Sequence, residues 1–94
     1  MSAVLRNLER YLSQLKNAPN SQVVAAGFLH KEPMGIRAID QKGRGRNLQE
    51  TRLCTYADDA KQVVYLITMG NKDTQADDIA LSKEFVNELR QTEE

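Results

Sequence analysis

The 94-residue chain has no tryptophan, one cysteine and one histidine. A lone Cys54 excludes an internal disulfide and a cysteine-ligated zinc cluster. With His30 as the sole imidazole, a transition-metal site has too few soft ligands, so neither a metal nor a cofactor is expected. Only five aromatics occur (Tyr11, Phe28, Tyr56, Tyr65, Phe85), which leaves Val, Leu and Ile to build the interior. No apolar run approaches the roughly 20 residues of a membrane span, and no signal-peptide pattern is present. The expectation is a soluble, cytoplasmic protein with no membrane partner. The length suits a single domain over residues 1–94, domains commonly running to roughly 100–150 residues. A hydrophobic content of 40% permits one modest core. HExxH, CxxC and P-loop patterns are missing. The segment KGRGRN has neither the G-x-G-x-x-G spacing nor a following helix, so no nucleotide fingerprint is present.

Formal charge is zero but unevenly placed. Residues 36–56 carry five basic side chains against two acidic ones, whereas residues 73–94 carry seven acids against two bases. Such a pattern fits an anion-binding middle beside an acidic helix, or simply two solvated faces of opposite sign.

Val4, Leu5, Leu8, Leu12 and Leu15 recur with helical period, and Asn17-Ala18-Pro19-Asn20 stops the helix. Ser21 to Leu29 suits either a short second helix or a strand; capping by Asn20 or Ser21 favours the helix, giving a helical hairpin. His30 to Gly35 reads as a loop, with His30 either a surface residue or a general base. Ile36 to Asp40 is a short strand with Ile36, Ala38 and Asp40 on one face and Arg37 and Ile39 on the other. After a glycine–arginine loop, Thr51 to Tyr56 alternates, with Arg52, Cys54 and Tyr56 sharing a face. Cys54 there is a small buried or half-buried side chain. An acidic turn joins it to Gln62–Met69, whose unbroken apolar run predicts burial on both faces and a central place in the sheet. A last helix follows Thr74-Gln75-Ala76-Asp77, a capping-box-like start, with Ile79, Leu81, Phe85, Val86 and Leu89 on its apolar side. The expected fold is α+β, an antiparallel sheet of about three strands with an N-terminal helix or helical hairpin and a C-terminal helix.

The remaining candidates for chemistry are basic. Arg37, Arg52 and Lys72 would converge on one sheet surface if the three strands are adjacent, with Lys42, Arg44 and Arg46 at its rim. Guanidinium and ammonium groups so gathered hold phosphate oxygens and stabilise a phosphorane without a metal.

Residues 35–89 resemble the RelE/ParE superfamily of toxins from bacterial type II toxin–antitoxin systems. The likeness lies in a basic strand, a Gly/Arg loop, the strand Thr51-Arg52-Leu53-Cys54-Thr55-Tyr56 and an acidic turn. It continues through Val63-Val64-Tyr65-Leu66-Ile67-Thr68-Met69 into Gly70-Asn71-Lys72-Asp73-Thr74-Gln75. The resemblance implies an antiparallel sheet with helices against one face. It also implies mRNA cleavage, usually on the ribosome, or action on DNA gyrase, and neutralisation by a cognate antitoxin. By it, Arg52 matches the strand arginine that binds phosphate and Lys72 the basic residue that stabilises the transition state, the two catalytic positions. Arg37, Lys42, Arg44 and Arg46 are the expected phosphate- or RNA-binding residues. The tyrosine or histidine that follows in the family's ribonucleases has no counterpart in Asp73–Asp78.

Three functional classes follow. The first is a toxin acting as a metal-independent mRNA endoribonuclease, or an inactive relative. The second is a non-catalytic protein-binding module of the same fold, directed at gyrase, an antitoxin or itself, such as a mobile-element cassette product. The third is a plain nucleic-acid-binding domain. Family members open with a strand where this chain has a helix, so an uncovered sheet edge is expected. A homodimer through that edge or the first helix follows.

Overall fold

A computed structural model describes residues 3–41 and 51–92, with the Lys72 side chain excepted. The order of elements is helix α1 (Ala3–Asn17), strands β1 (Leu29–Lys31), β2 (Ile36–Asp40), β3 (Arg52–Asp58) and β4 (Val63–Gly70), then helix α2 (Gln75–Thr92). The four strands form one antiparallel sheet in the order β1-β2-β3-β4. The α+β class is as expected; the strand count is one higher.

The extra strand takes Leu29 from the segment expected to be helical and His30 and Lys31 from the expected loop. Asn20 caps only a single 3-10 turn, Ser21–Val23, its side chain accepting from Gln22 N. The chain then leaves helical geometry and turns at Gly27–Phe28, where Leu29 N donates to Ala26 O at 3.0 Å, with Val24 and Leu29 buried in the core that α1 builds. Leu29–Lys31 pairs with Arg37–Ile39 across a tight turn in which Glu32 N donates to Ile36 O at 2.9 Å. Met34 and Gly35 reverse the chain there with positive φ. His30 therefore lies in a strand, not in a loop.

The two helices lie on opposite faces of the sheet. Ile39 and Leu53 pack with Val4, Leu8 and Tyr11 of α1. Their strand neighbours Ala38 and Cys54 pack with Val86 of α2, and adjacent strand residues point to opposite faces. This differs from the one-sided arrangement implied by the resemblance: both faces of β2 and β3 are apolar, so each needs a cover. The buried side of α1 is Val4, Asn7, Leu8 and Tyr11; Leu5 and Leu12 stand at its exposed margin, 40% and 38% accessible. The stripe is thus turned from the one drawn through Val4, Leu5, Leu8, Leu12 and Leu15, because Tyr11 brings more apolar surface than Leu12. On α2, Ser82, Phe85 and Val86 face the sheet and Leu81 faces outward.

The expectation of a central β4 is overturned. β4 is an edge strand, and β2 and β3 are the inner pair. Its pairing with β3 holds, from Arg52↔Gly70 to Asp58↔Val63. A bulge interrupts the register, Cys54 facing Thr68 and Thr55 facing Leu66. The extra residue lets Ile67 pack toward α2 while Thr68 also turns that way, its hydroxyl donating to Asp78. Tyr65 stacks with Tyr56 and tilts against Phe85. On the other face nothing described covers the strand's end, and Leu66 and Met69 are 55% and 53% exposed. The unbroken apolar run therefore does not signify two-sided burial.

Two long-range anchors fix α1. Asn7 Nδ2 donates to Asp40 O at 2.7 Å and to Gln41 O at 3.2 Å. Past the helix end, Asp59 in the β3–β4 turn accepts from Ser21 N and Ser21 Oγ at 2.8 and 2.9 Å.

Candidate functional site

The register of the first three strands assembles a polar corner at one end of the sheet. Asp40 ends β2 directly opposite Arg52, which opens β3. His30 in β1 pairs with Ala38, two residues before Asp40 and on the same face. The Asp40 carboxylate receives both neighbours: Oδ2 is hydrogen-bonded to His30 Nε2, and Oδ1 lies 3.0 Å from Arg52 Nε. The second contact is an ion pair out of line for a hydrogen bond, so Arg52 Nε and Asp40 Oδ1 have no hydrogen-bond partner among the described residues. Asp40 and Arg52 are mostly buried, and the His30 side chain is 41% exposed.

The chemistry of this corner follows from the partners. An ionised carboxylate only accepts, so the tautomer of a neutral His30 that fits this contact has its proton on Nε2 and its lone pair on Nδ1. A carboxylate-oriented imidazole moves protons as general base or acid. A guanidinium beside it offers N–H groups to phosphate oxygens.

The sequence-predicted residues divide. Arg52 belongs to the corner. Lys72 opens the turn Lys72–Thr74 just after Gly70, the partner of Arg52, so its backbone lies at the same sheet end; its side chain lies outside the described residues. Gly70 closes this end tightly, since a Cβ there would stand 1.9 Å from Asp78 Oδ2 and 2.3 Å from Thr74 Oγ1. Lys42, Arg44 and Arg46 lie outside the described residues; the chain bearing them leaves after Gln41 and returns at Thr51, whose backbone accepts from Gln41 N. Arg37 does not join the set. It shares a face with Ile39 and sits beneath α1, 6% exposed, so the expected convergence of Arg37 with Arg52 does not occur.

Cys54 is buried as expected, and burial pushes its thiol pKa up, so it stays protonated and inert beside Ser82. Among the described residues, no group of three or more His, Cys, Asp or Glu side chains is placed to hold a metal ion, and no helix is long and apolar enough to cross a membrane.

Sequence reasoning set His30 in a loop and did not connect it with Asp40. The signal was the hairpin itself: Leu29-His30-Lys31 and Ile36-Arg37-Ala38-Ile39-Asp40 flank the turn residues Pro33 and Gly35. Pairing them places His30 diagonal to Asp40.

Comparison with protein-family models, curated proteins and solved structures finds no match to this chain.

Proposed function

We propose that the chain is an RNA-cleaving toxin of a bacterial toxin–antitoxin pair, acting without a metal at the His30–Asp40–Arg52 corner. The supporting observation is that trio: a proton-transfer group, its orienting carboxylate and a phosphate-binding guanidinium in adjacent strands. It supplies the proton-transfer group that the resemblance to RelE/ParE toxins leaves unfilled after Lys72. His30 Nδ1 takes the proton of a ribose 2′-hydroxyl, and the oxygen attacks the adjacent phosphorus. Arg52 offsets the charge gathering on the phosphorane oxygens. The departing 5′-oxygen regains a proton from the imidazolium, leaving a 2′,3′-cyclic phosphate and a 5′-hydroxyl. Lys72 and the basic residues of the Gln41–Thr51 connection would add phosphate contacts.

Single-stranded RNA incubated with the purified protein in EDTA tests this. Cleavage is expected, falling by about 10²–10⁴-fold in His30→Gln. Expression in bacteria is expected to slow growth, with Arg52→Ala plus Lys72→Ala relieving it. Intact RNA and unaffected growth would overturn the reading. Salt-sensitive retention of intact RNA would instead leave a plain nucleic-acid-binding domain.

The β4 edge supports a second reading, a non-catalytic module that takes up a protein strand. β4 is long, carries no charge or proline, and exposes Leu66 and Met69. An edge of that kind readily accepts another chain: an antitoxin segment, a gyrase-type target or a second copy in a homodimer. Sedimentation at micromolar concentration tests the last of these, a single species near 10.6 kDa excluding it.

A further inference from the structure

Arg37 is a buried charge without a counter-charge. It is 94% removed from solvent, yet among the described residues no carboxylate lies within 4.0 Å of Arg37. Of its five N–H donors, one on Nη1 reaches Ile36 O at 3.2 Å. Nε has no partner. Breaking or omitting the partner of a buried charge is among the more destabilising arrangements in a protein. Tyr11, whose ionisation is eased by the nearby Arg37 charge although burial raises its pKa, adds a second orphan: its hydroxyl is buried without a partner.

The guanidinium lines a cleft of about 360 Å³ at the end of the sheet where β2 begins and β3 ends. Arg90 reaches the same cleft from the last turn of α2, one of its nitrogens donating to Met34 O at 3.3 Å. Asp58 and Asp59 also border it, but both are engaged. Asp59 uses both oxygens on Ser21, and Asp58 accepts from Lys61 N at 3.1 Å.

We propose that this cleft, between the Ser21 segment and the β3–β4 turn, binds a carboxylate held by Arg37, which has no counter-charge among the described residues. Nε is buried from solvent and one N–H of Nη1 is engaged by Ile36 O, so Nη2, which has no hydrogen bond among the described residues, is the nitrogen left to meet a carboxylate oxygen. Asp58 and Asp59 at the border disfavour a doubly charged phosphate, which they would repel within a few ångströms. Tyr56 and Met34 supply apolar wall for a short carbon stem. The source is either a free small carboxylic acid or an acidic side chain of a peptide, and both present the same group. This site lies across the sheet from the His30–Asp40–Arg52 corner and does not rest on RNA cleavage.

The test is titration of the full chain with acetate, butyrate, inorganic phosphate and a blocked tripeptide with one glutamate, followed through the Arg37 Nε–H resonance and the thermal midpoint. Saturable movement of that resonance and a rise in midpoint are expected with a carboxylate. A tighter response to the tripeptide than to butyrate assigns the source to a peptide, and the reverse to a small acid. Arg37→Lys should weaken binding about tenfold, the lysine keeping the charge but losing the fixed, planar placement of the guanidinium N–H groups. Arg37→Met should abolish it. No saturable response from the wild-type chain, a stronger response to phosphate, or binding retained in Arg37→Met would each overturn the proposal. Should Arg37→Met fail to fold, the wild-type resonance and Arg37→Lys decide the matter alone.

Discussion

Each helix covers only part of its face, and the two uncovered parts differ in kind. On the α2 side, the corner of β1, β2 and β3 is polar: His30, Asp40 and Arg52 are linked to one another across three strands. On the α1 side, the outer strand β4 is left with exposed apolar side chains, Leu66 and Met69. The first region is internally coupled, so its side chains depend on one another for solvation. The second is a set of independent side chains with no described neighbour above them. A coupled polar corner is where chemistry is built; an isolated apolar strip is where another surface settles.

The comparison predicts unequal sensitivity to substitution. Asp40→Ala should produce the largest loss, about 3–5 kcal/mol, because it leaves the mostly buried Arg52 without its counter-charge. Urea denaturation measures it, and a loss as small as that of a surface change would mean that the corner is not coupled. Alkaline pH provides a second contrast, between the layers beneath the two helices. Tyr11 under α1 and Cys54 under α2 both have pKa values raised by burial from 10.0 and 9.0. In each case the unfolded chain releases its proton first, so stability is full below the unfolded pKa and falls as pH rises past it. The slope is at most about 1.4 kcal/mol per pH unit for each group. Tyr11→Phe should remove the upper part of that decline, and Cys54→Ala the lower part, read from denaturation midpoints between pH 8 and 11.

Asn7→Ala should cost about 1–2 kcal/mol through loss of its two bonds to the end of β2. The smallest change is expected from Leu66→Lys on the apolar strip, within about 0.5 kcal/mol in the monomer. Its effect should appear in sedimentation as reduced self-association. A large stability loss from Leu66→Lys would show that the strip is covered in solution.

The sequence displayed α1, α2, the strand positions of β2, β3 and β4 and the facing of Arg52 with Cys54, because period and turn residues encode these locally. It did not display β1. Three residues are too few to show alternation, and Val24 and Phe28 serve the core equally well from a helix or an extended chain. Nor did it display the rank of β4 within the sheet. An apolar run records what a strand is made of, whereas its neighbours are decided by where β1 joins. The bulge at Ile67 compounds this by aiming two consecutive side chains, Ile67 and Thr68, at α2. For the site, Arg52 was legible as a strand arginine. Its pairing with Asp40 and His30 depended on the register across two turns, which no single segment carries. Arg37 was assigned to the wrong surface because adjacent strands were pictured, but not which face α1 would take.

The order β1-β2-β3-β4 also has a kinetic consequence. Every strand pairs with its neighbour in sequence, so the sheet can grow by short loop closures, the longest being the connection from Gln41 to Thr51. The contacts that hold α1 are of another class: Asn7 to Asp40 and Ser21 to Asp59 join residues 33 and 38 positions apart. Closing such loops is slower and less rewarded until the sheet exists to receive them. Folding is therefore expected to run from the hairpins outward, with α1 docking last. Unfolding starts where that docking ends, and the Asn7 and Ser21 amides should exchange with solvent before those of β2 and β3.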